Sequence, residues 1–265
     1  MNGARGLPRP LLFGILNVTP DSFSGDGLLH GDALAAADAL VADGADVLDI
    51  GAESTRPQAQ ALDAAAEWQR LAPVLAGLAT RPWRARVRLS VDTRHAPTAE
   101  RALAAGVEIV NCVAGIADPA MQTVLAAARG DVIVMHALSV PVDPALLLPP
   151  DVDVLQVILD WKHEVIARAR AAGIDPDRLV FDPGIGFGKR AHQSLALVHG
   201  AGRLVASGGR WLFGHSRKSF LGLFTTAPAA GRDDLTLAFS AGLAQAGVQM
   251  LRVHAVARHA ALFGG

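Results

Sequence analysis

Residues 179–189 read LVFDPGIGFGK, an apolar run that ends in an aspartate and passes directly into a glycine-rich loop. A short apolar run of this kind is typical of a strand buried on both faces, as in a parallel sheet. Glycines let the backbone approach a ligand closely, and Phe187 between them can provide an aromatic wall. Lys189 follows the last glycine, but the spacer and the following Ser or Thr of a Walker phosphate loop are missing. The stretch therefore predicts a buried strand whose carboxyl end carries a ligand-binding loop.

The same arrangement of an apolar run followed by polar residues recurs along the chain. Eight runs rich in Val, Ile and Leu are predicted as strands: Leu11–Val18, Ala45–Gly51, Arg86–Asp92, Glu108–Val113, Val132–His136, Leu179–Asp182, Trp211–His215 and Met250–His254. Ala-rich stretches with apolar residues three and four positions apart are predicted as helices: Gly31–Asp43, Asp63–Ala79, Ala96–Ala105, Asp118–Arg129, Asp153–Ala172, His192–Ala206, Asp233–Ala246 and Val256–Leu262. Glycines near four helix ends are predicted to adopt a left-handed turn: Gly44, Gly106, Gly130 and Gly173.

Polar side chains mark the carboxyl ends of the predicted strands. They are Asn17, Asp49, Asp92, Asn111, His136, Asp182, His215 and His254. In a (β/α)₈ barrel these ends meet at one face, where active sites lie. A doubly wound open sheet is the alternative arrangement of eight βα units. The clustering favours the α/β class with a single (β/α)₈ TIM barrel, and the even composition predicts one domain over residues 1–265.

Composition excludes several classes of protein. The 265 residues carry a formal net charge of −1, which argues against a nucleic-acid-binding protein. A hydrophobic content of 51% excludes a disordered chain, and the single cysteine, Cys112, excludes an internal disulfide and a Cys-rich zinc site. No segment approaches the roughly 18–20 apolar residues of a membrane span, and no secretory signal is recognisable. We expect a cytoplasmic protein without membrane or nucleic-acid partners.

Five further segments carry side chains suited to binding a polar or charged ligand. Arg56 in ESTRP can recognise a planar anion, although it can equally pair with Glu53 on the surface. Asp92 and Asn111 end neighbouring strands and can bind a ring that presents both donors and acceptors, but an aspartate there can also cap a helix. The segment 214–220, GHSRKSF, suits a phosphate or carboxylate at a helix N-terminus. Arg252 on the last strand requires an anionic partner if it points into a barrel.

Taken in order, the motifs LNVTPDSFS, ESTRP, SVDT, VN, MH, DPGIGFGK, SRKSF and RVH resemble those of the dihydropteroate synthase family, from Leu16 to His254. The resemblance implies a TIM-barrel transferase of folate biosynthesis, acting as a homodimer with Mg²⁺. Such an enzyme joins p-aminobenzoate to 7,8-dihydropterin-6-ylmethyl diphosphate, and the products are 7,8-dihydropteroate and diphosphate. The amine nitrogen attacks the exocyclic CH₂ group as diphosphate leaves, so the enzyme stabilises the leaving group and holds the amine in line.

The resemblance also implies a role for individual residues. The pterin-binding positions are Asp92, Asn111, Met135, Asp182 and Lys218. The p-aminobenzoate-binding positions are Thr55, Arg56, Pro57, Phe187, Lys218 and Ser219. The diphosphate-binding positions are Asn17, Arg252 and His254, and Asn17 is also the expected ligand of Mg²⁺. The expected catalytic residues are Asn17, Arg56, Lys218, Arg252 and His254. Asp26 and Arg56 lie on two loops expected to close over the site.

Some positions depart from the family pattern and leave alternatives open. They are Gly25-Asp26-Gly27, Gln58, Cys112, Ala137–Val140, Arg190, Gln193 and Ala255. A non-catalytic or altered-specificity pterin-binding paralogue remains possible on these grounds. A methyltetrahydrofolate:corrinoid methyltransferase shares the barrel and the carboxylate–asparagine pair, but ESTRP, Phe187 and SRKSF argue against it. A sugar-phosphate barrel enzyme is the remaining alternative. The apolar helices Leu235–Leu243 and Val256–Phe263 can form a dimer surface or pack on the barrel.

Overall fold

Eight parallel strands form a closed barrel in which each strand pairs with the next and the last pairs with the first. The computed structural model describes residues 7–18, 29–53 and 62–264. The strands are β1 Leu11–Asn17, β2 Val47–Gly51, β3 Arg88–Thr93, β4 Ile109–Cys112, β5 Asp131–Met135, β6 Leu179–Asp182, β7 Arg210–Phe213 and β8 Met250–Val253. Closure confirms the predicted (β/α)₈ barrel and overturns the open-sheet alternative.

Helices surround the barrel. They are α1 Leu29–Ala42, α2 Ala64–Ala79, α3 Ala96–Ala104, α4 Pro119–Ala127, α5 Val154–Ala171, α6 Ala191–His199, α7 Ala201–Ala206, α8 Asp233–Gln245 and α9 Val256–Leu262. Asp118 caps α4 by accepting a hydrogen bond from the Ala120 amide, with Pro119 at the first helical position. No helix of the described segments has both the length and the apolarity that crossing a membrane demands.

One predicted helix is interrupted. The stretch 192–206 forms α6 and α7, which meet at Gly200. A Cβ atom at Gly200 would lie 2.4 Å from a methyl carbon of Leu155 on α5, so the Leu155 side chain packs closely where Gly200 has none. Glycine also has a low helix propensity, and the break therefore falls where packing and propensity agree.

The strands build two layers inside the barrel. An apolar plug fills the interior: Phe13, Val47, Ile109, Ile133, Val180, Leu212 and Met250. Side chains on a strand alternate between two faces, so the residues two positions later point inward as well. On β2, β4, β5, β6 and β8, and just after β7, these are Asp49, Asn111, Met135, Asp182, Arg252 and Gly214. The polar residues of the predicted site therefore stand directly above an apolar base.

Three of the four predicted left-handed glycines adopt positive φ: Gly44, Gly106 and Gly173. Gly130 is not among the positive-φ residues, so the prediction for it is wrong. A Cβ atom at Gly130 would instead lie 1.9 Å from the carbonyl oxygen of Glu108. Close approach to the chain entering β4, rather than the sign of φ, explains this glycine.

We predict that Gly130→Ala lowers the free energy of unfolding by about 2–3 kcal/mol, because backbone must move to admit the methyl group. Gly202→Ala in α7 is the matched control, since the nearest atom to its Cβ is 4.0 Å away. The control should leave stability unchanged or raise it by about 0.5–1 kcal/mol. Urea unfolding midpoints measure both, and equal midpoints for the two variants would contradict the prediction.

Candidate active site

A cleft opens above the apolar plug at the carboxyl end of the barrel. Its lining residues are Asp92, Asn111, Val113, Met135, Asp182, Gly184, Ile185, Phe187, Gly214, Lys218 and Arg252. Seven of them are residues to which the sequence assigns a binding role. They come from strands or loops β3 to β8, so barrel closure brings together side chains that lie far apart in the sequence.

Arg252 is held between two carboxylates. Its Nε atom lies 2.5 Å from Oδ2 of Asp49 on β2, and its Nη2 atom lies 2.8 Å from Oδ2 of Asp92 on β3. The expectation that an inward-pointing arginine needs an anionic partner is confirmed. Because two bonds fix the plane of the guanidinium, its remaining Nη1 group is oriented without being engaged by either carboxylate.

Asp49 connects this arginine to the asparagine of β4. Asp49 is fully buried, its Oδ1 accepts a hydrogen bond from Ser90 at 2.6 Å, and its Oδ2 also accepts one from Nδ2 of Asn111 at 3.2 Å. Asp49 does not line the cleft, yet it orients two residues that do. The sequence marked Asp49 only as a strand-end carboxylate; its contacts depend on a partner 203 residues away.

Burial shifts the protonation equilibria in the cleft. Desolvation raises the pKa of Asp92 to about 7; it exceeds the opposing attraction of Arg252, and the nearby Asp49 carboxylate adds a smaller increase. Desolvation also raises the pKa of Asp182, although the Gly184 amide donates to its Oδ1 at 2.8 Å. It lowers the pKa of Lys218 to about 8 against the opposing attraction of Asp182. Burial in the cleft thus disfavours a full set of charges.

The loop after β6 forms one wall of the cleft. Its three glycines, Gly184, Gly186 and Gly188, all have positive φ, which allows the tight path predicted for this segment. The Nζ atom of Lys218 lies 4.3 Å from the centre of the Phe187 ring, a cation–π contact. The predicted aromatic wall is therefore in place beside the lysine.

Three further residues with a predicted role lie in the described part of the chain but outside the cleft lining. His254 follows β8, and its Nδ1 is 3.0 Å from Oγ of Ser216. Ser219 is exposed and begins a 3₁₀ turn of five residues, Ser219–Leu223, rather than an α-helix. Asn17 ends β1 beside Gly51. None of these three lines the cleft. Asp26, Thr55, Arg56 and Pro57 lie outside the described residues.

Two strand-end histidines do not belong to the cleft lining. His215 faces α8, where its Nε2 is 2.9 Å from Oγ of Ser240, and burial lowers its pKa to about 4. His136 contacts Lys189 and packs edge-on against Trp161. Cys112 is buried, and desolvation raises the pKa of its thiol to about 12. None of these three groups lines the cleft.

The sequence from residue 13 to residue 254 matches the family described as pterin binding enzymes. The chain belongs to this family. A probable bifunctional folylpolyglutamate synthase/dihydropteroate synthase of Halobacterium salinarum is 41% identical over 96% of this chain, which spans only 31% of that relative. The dihydropteroate synthase of Mycobacterium leprae is 38% identical over 92% of this chain and 88% of its own length.

A solved structure gives the same result. Dihydropteroate synthase from Clostridium difficile, determined in the presence of pteroic acid, matches with a TM-score of 0.89 at 34% identity, over 97% of this chain and 95% of that one. The resemblance to dihydropteroate synthases is confirmed, and with it the prediction of a transferase of folate biosynthesis. The comparisons support this pterin-binding transferase rather than the paralogue, methyltransferase or sugar-phosphate alternatives.

For this pterin-binding enzyme we predict that Asp49→Asn lowers the pKa of Asp92 below 7, because the neighbouring negative charge is lost and Arg252 pairs with Asp92 alone. The free energy of unfolding should fall by about 2–4 kcal/mol, since a buried arginine loses one partner. Carboxyl ¹³C NMR titration and urea unfolding measure the two effects. Asp46→Asn, which alters a partly exposed carboxylate bound to Arg9, is the control. An unchanged Asp92 titration in Asp49→Asn would refute the assignment.

Proposed function

We propose that this chain itself condenses p-aminobenzoate with 7,8-dihydropterin-6-ylmethyl diphosphate, releasing diphosphate and forming 7,8-dihydropteroate. The observation that carries the proposal is the convergence of Asp92, Asn111, Asp182, Lys218 and Arg252 on one cleft. Carboxylates and an amide suit the donor–acceptor edge of a pterin, and cations suit a diphosphate. A neighbouring aromatic wall suits the ring of the amine.

Carboxylate and amide groups at the base of the cleft bind the pterin. Asp182 accepts the Gly184 amide on Oδ1, which fixes the carboxylate and leaves Oδ2 for the N–H groups of the pterin edge. Asn111 donates Nδ2 to Asp49, so its amide oxygen remains as an acceptor. Gly214 has no side chain beside Oδ2 of Asp182, where a Cβ atom would lie 3.6 Å away. The cleft therefore has room for the pterin at the place where the hydrogen-bonding groups of Asp182 and Asn111 lie.

The leaving group is stabilised by positive charge above the pterin. Arg252 presents Nη1 while its other end is bound to Asp49 and Asp92, so no reorganisation is needed as charge develops on the diphosphate. His254 and Asn17 are assigned to the same region on the strength of the resemblance. Lys218 stands between Phe187 and the buried carboxylates and serves both substrates.

Mg²⁺ fits this arrangement as a substrate-borne ion. Among the described residues no group of three His, Cys, Asp or Glu side chains is placed to hold a metal. Mg²⁺ commonly binds through one or two protein oxygens together with substrate phosphates and water. The amide oxygen of Asn17, at the end of β1, is the proposed protein ligand. When bound, the ion would neutralise charge on the diphosphate.

The amine acceptor occupies the outer part of the cleft. Phe187 and Lys218 offer a ring face and a cation, which suit the aromatic ring and the carboxylate of p-aminobenzoate. Ser219, Thr55, Arg56 and Pro57 complete this proposed subsite, and Asp26 lies on the loop proposed to close over it. We propose only small-molecule substrates and a cytoplasmic location, in keeping with one buried, unpaired cysteine.

The decisive experiment mixes both substrates with Mg²⁺ and follows diphosphate release and 7,8-dihydropteroate formation. We predict turnover by the wild-type protein, and a loss of pterin affinity of at least about 100-fold in Asp182→Asn, because one buried hydrogen bond to a charged group is worth about 1.5–3 kcal/mol and the edge makes two. Asp177→Asn, in the 3₁₀ turn before β6, should behave as the wild type. Absence of product with both substrates present would disprove the proposed reaction.

We also propose that the enzyme is a homodimer formed through α8. The two helices suggested by sequence behave differently, because Val256, Ala260 and Phe263 of the α9 region are buried against the barrel. Alongside α8 an apolar groove remains, lined by Val198, His199, Phe224, Leu235, Ala238, Phe239, Gly242, Leu243 and Ala246. In a two-fold interface the same surface of both subunits must fit together. Here the rings of Phe224 and Phe239 can fill the space beside the small residues Ala238, Gly242 and Ala246 of a second copy.

Phe224 is 52% exposed at this groove, so we predict that Phe224→Asp converts a dimer into a monomer without unfolding it. Leu147→Asp, an exposed apolar residue outside the groove, should leave the mass unchanged. Sedimentation equilibrium distinguishes the 27.5 kDa chain from its dimer. A wild-type protein that stays monomeric at micromolar concentration would exclude this interface.

A further inference from the structure

Lys189 is buried beneath the glycine loop without a carboxylate in hydrogen-bond contact. Only 5% of it is exposed, and its Nζ atom has three neutral partners. It donates to the Phe187 carbonyl oxygen at 3.0 Å, to the His136 carbonyl oxygen at 3.1 Å and to Nδ1 of His136 at 2.9 Å. Three acceptors match the three N–H groups of an ammonium. The contact with Nδ1 requires the neutral Nε2–H tautomer of His136.

The residues bonded to Lys189 belong to the segments next to Asp182, the end of β5 and the glycine loop. The His136 amide donates to the Asp182 carbonyl oxygen at 3.0 Å, and the Gly184 amide donates to the Asp182 carboxylate. A Cβ atom at Gly184 would lie only 1.9 Å from the His136 carbonyl oxygen, so the loop and the end of β5 are in close contact. Lys189 therefore joins the end of β5 to the backbone that carries the Phe187 ring.

We propose that Lys189 is a positioning residue that fixes the glycine loop over the cleft, and thereby sets both the carboxylate of Asp182 and the ring of Phe187. Lys189 does not line the cleft, and it acts through its contacts with Phe187 and His136. The proposal rests on the proposed function, because it specifies how the pterin-binding side of that site is held in shape.

The electrostatics agree with this arrangement. Burial lowers the pKa of Lys189 to about 7, with Asp182 favouring and Lys218 disfavouring its charge. Burial and Lys189 together lower the pKa of His136 to about 3, which keeps the imidazole neutral and able to accept. Trp161 packs edge-on against His136 with ring centres 5.4 Å apart, and this contact fixes the imidazole from its other side.

The chain offers a matched control in Lys162. It is also buried, with 4% exposed, and its Nζ atom likewise donates to three neutral acceptors: the Ser207 carbonyl and hydroxyl oxygens and the Gly208 carbonyl oxygen. These partners precede β7, at the opposite end of the barrel from the cleft. Lys189→Met and Lys162→Met thus remove the same chemistry from two places.

We expect Lys189→Met to raise the KM for the pterin diphosphate at least tenfold, with a smaller fall in kcat, and to weaken binding of 6-hydroxymethylpterin monophosphate by a similar factor. Lys162→Met should lower the urea midpoint but leave both KM values and the pterin Kd within twofold of the wild type. Equal, near-wild-type pterin affinities in the two variants would overturn the proposal.

Amide hydrogen exchange of the unliganded protein tests the positioning without depending on the reaction. Exchange at Gly184, Gly186 and Phe187 should accelerate at least tenfold in Lys189→Met and remain unchanged in Lys162→Met. If the wild type makes no product but this difference is observed, the proposed reaction fails while the positioning role stands. Unchanged exchange in Lys189→Met refutes the positioning role even in an active enzyme.

A second pair of variants serves if Lys189→Met does not fold. Asparagine can place an acceptor near the position of Nδ1, whereas leucine cannot, so His136→Asn should keep pterin affinity at least fivefold tighter than His136→Leu. A purely structural role for His136 predicts that affinities of the two folded variants are the same, and this result would also count against the proposal.

Discussion

The guanidinium of Arg252 is shared by two carboxylates that arrive on different strands, and the geometry of the cleft follows from this arrangement. Asp49 and Asp92 cannot both be fully neutralised by one arginine, and burial makes an uncompensated charge costly. Desolvation raises the pKa of Asp92 and lowers the pKa of Lys218, so burial disfavours the charged form of both groups. A carboxylate bound beside Lys218 would favour its ammonium form, so the charge of a substrate would offset the effect of burial.

The two-residue period of a strand explains why this polar layer is stable inside a barrel. Val47 and Asp49 share one face of β2, and Val180 and Asp182 share one face of β6. In each case the first residue belongs to the apolar plug and the second stands above it. The charged groups are therefore excluded from water on their lower side, while the cleft opens on the upper side. The same alternation of side chains therefore shields the charged groups from water below and leaves them open to a ligand above.

This period also shows how far sequence alone can go. A polar residue at the end of each apolar run predicts the barrel, and the order of the motifs predicts seven cleft residues, because both signals are local. The contact of Asp49 with Arg252 joins residues 203 positions apart and appears only once β8 closes on β1. The prediction for Gly130 is wrong for a similar reason, since local sequence does not identify the close approach of the Glu108 carbonyl oxygen.

The chain has three lysines, Lys162, Lys189 and Lys218, and the first two show where lysine suits the interior better than arginine. Lys162 and Lys189 are each buried against three neutral oxygen or nitrogen acceptors, which is the number an ammonium can satisfy. Arginine has five N–H donors in a rigid plane, and at either position some of them would be left unpaired in the interior. At Arg252 the opposite holds, because a planar fork is needed to bridge two carboxylates and still present a free end. The choice between the two cations is thus set by the number and geometry of the acceptors at each position, and exposed positions, which accept either, are left to arginine in this chain.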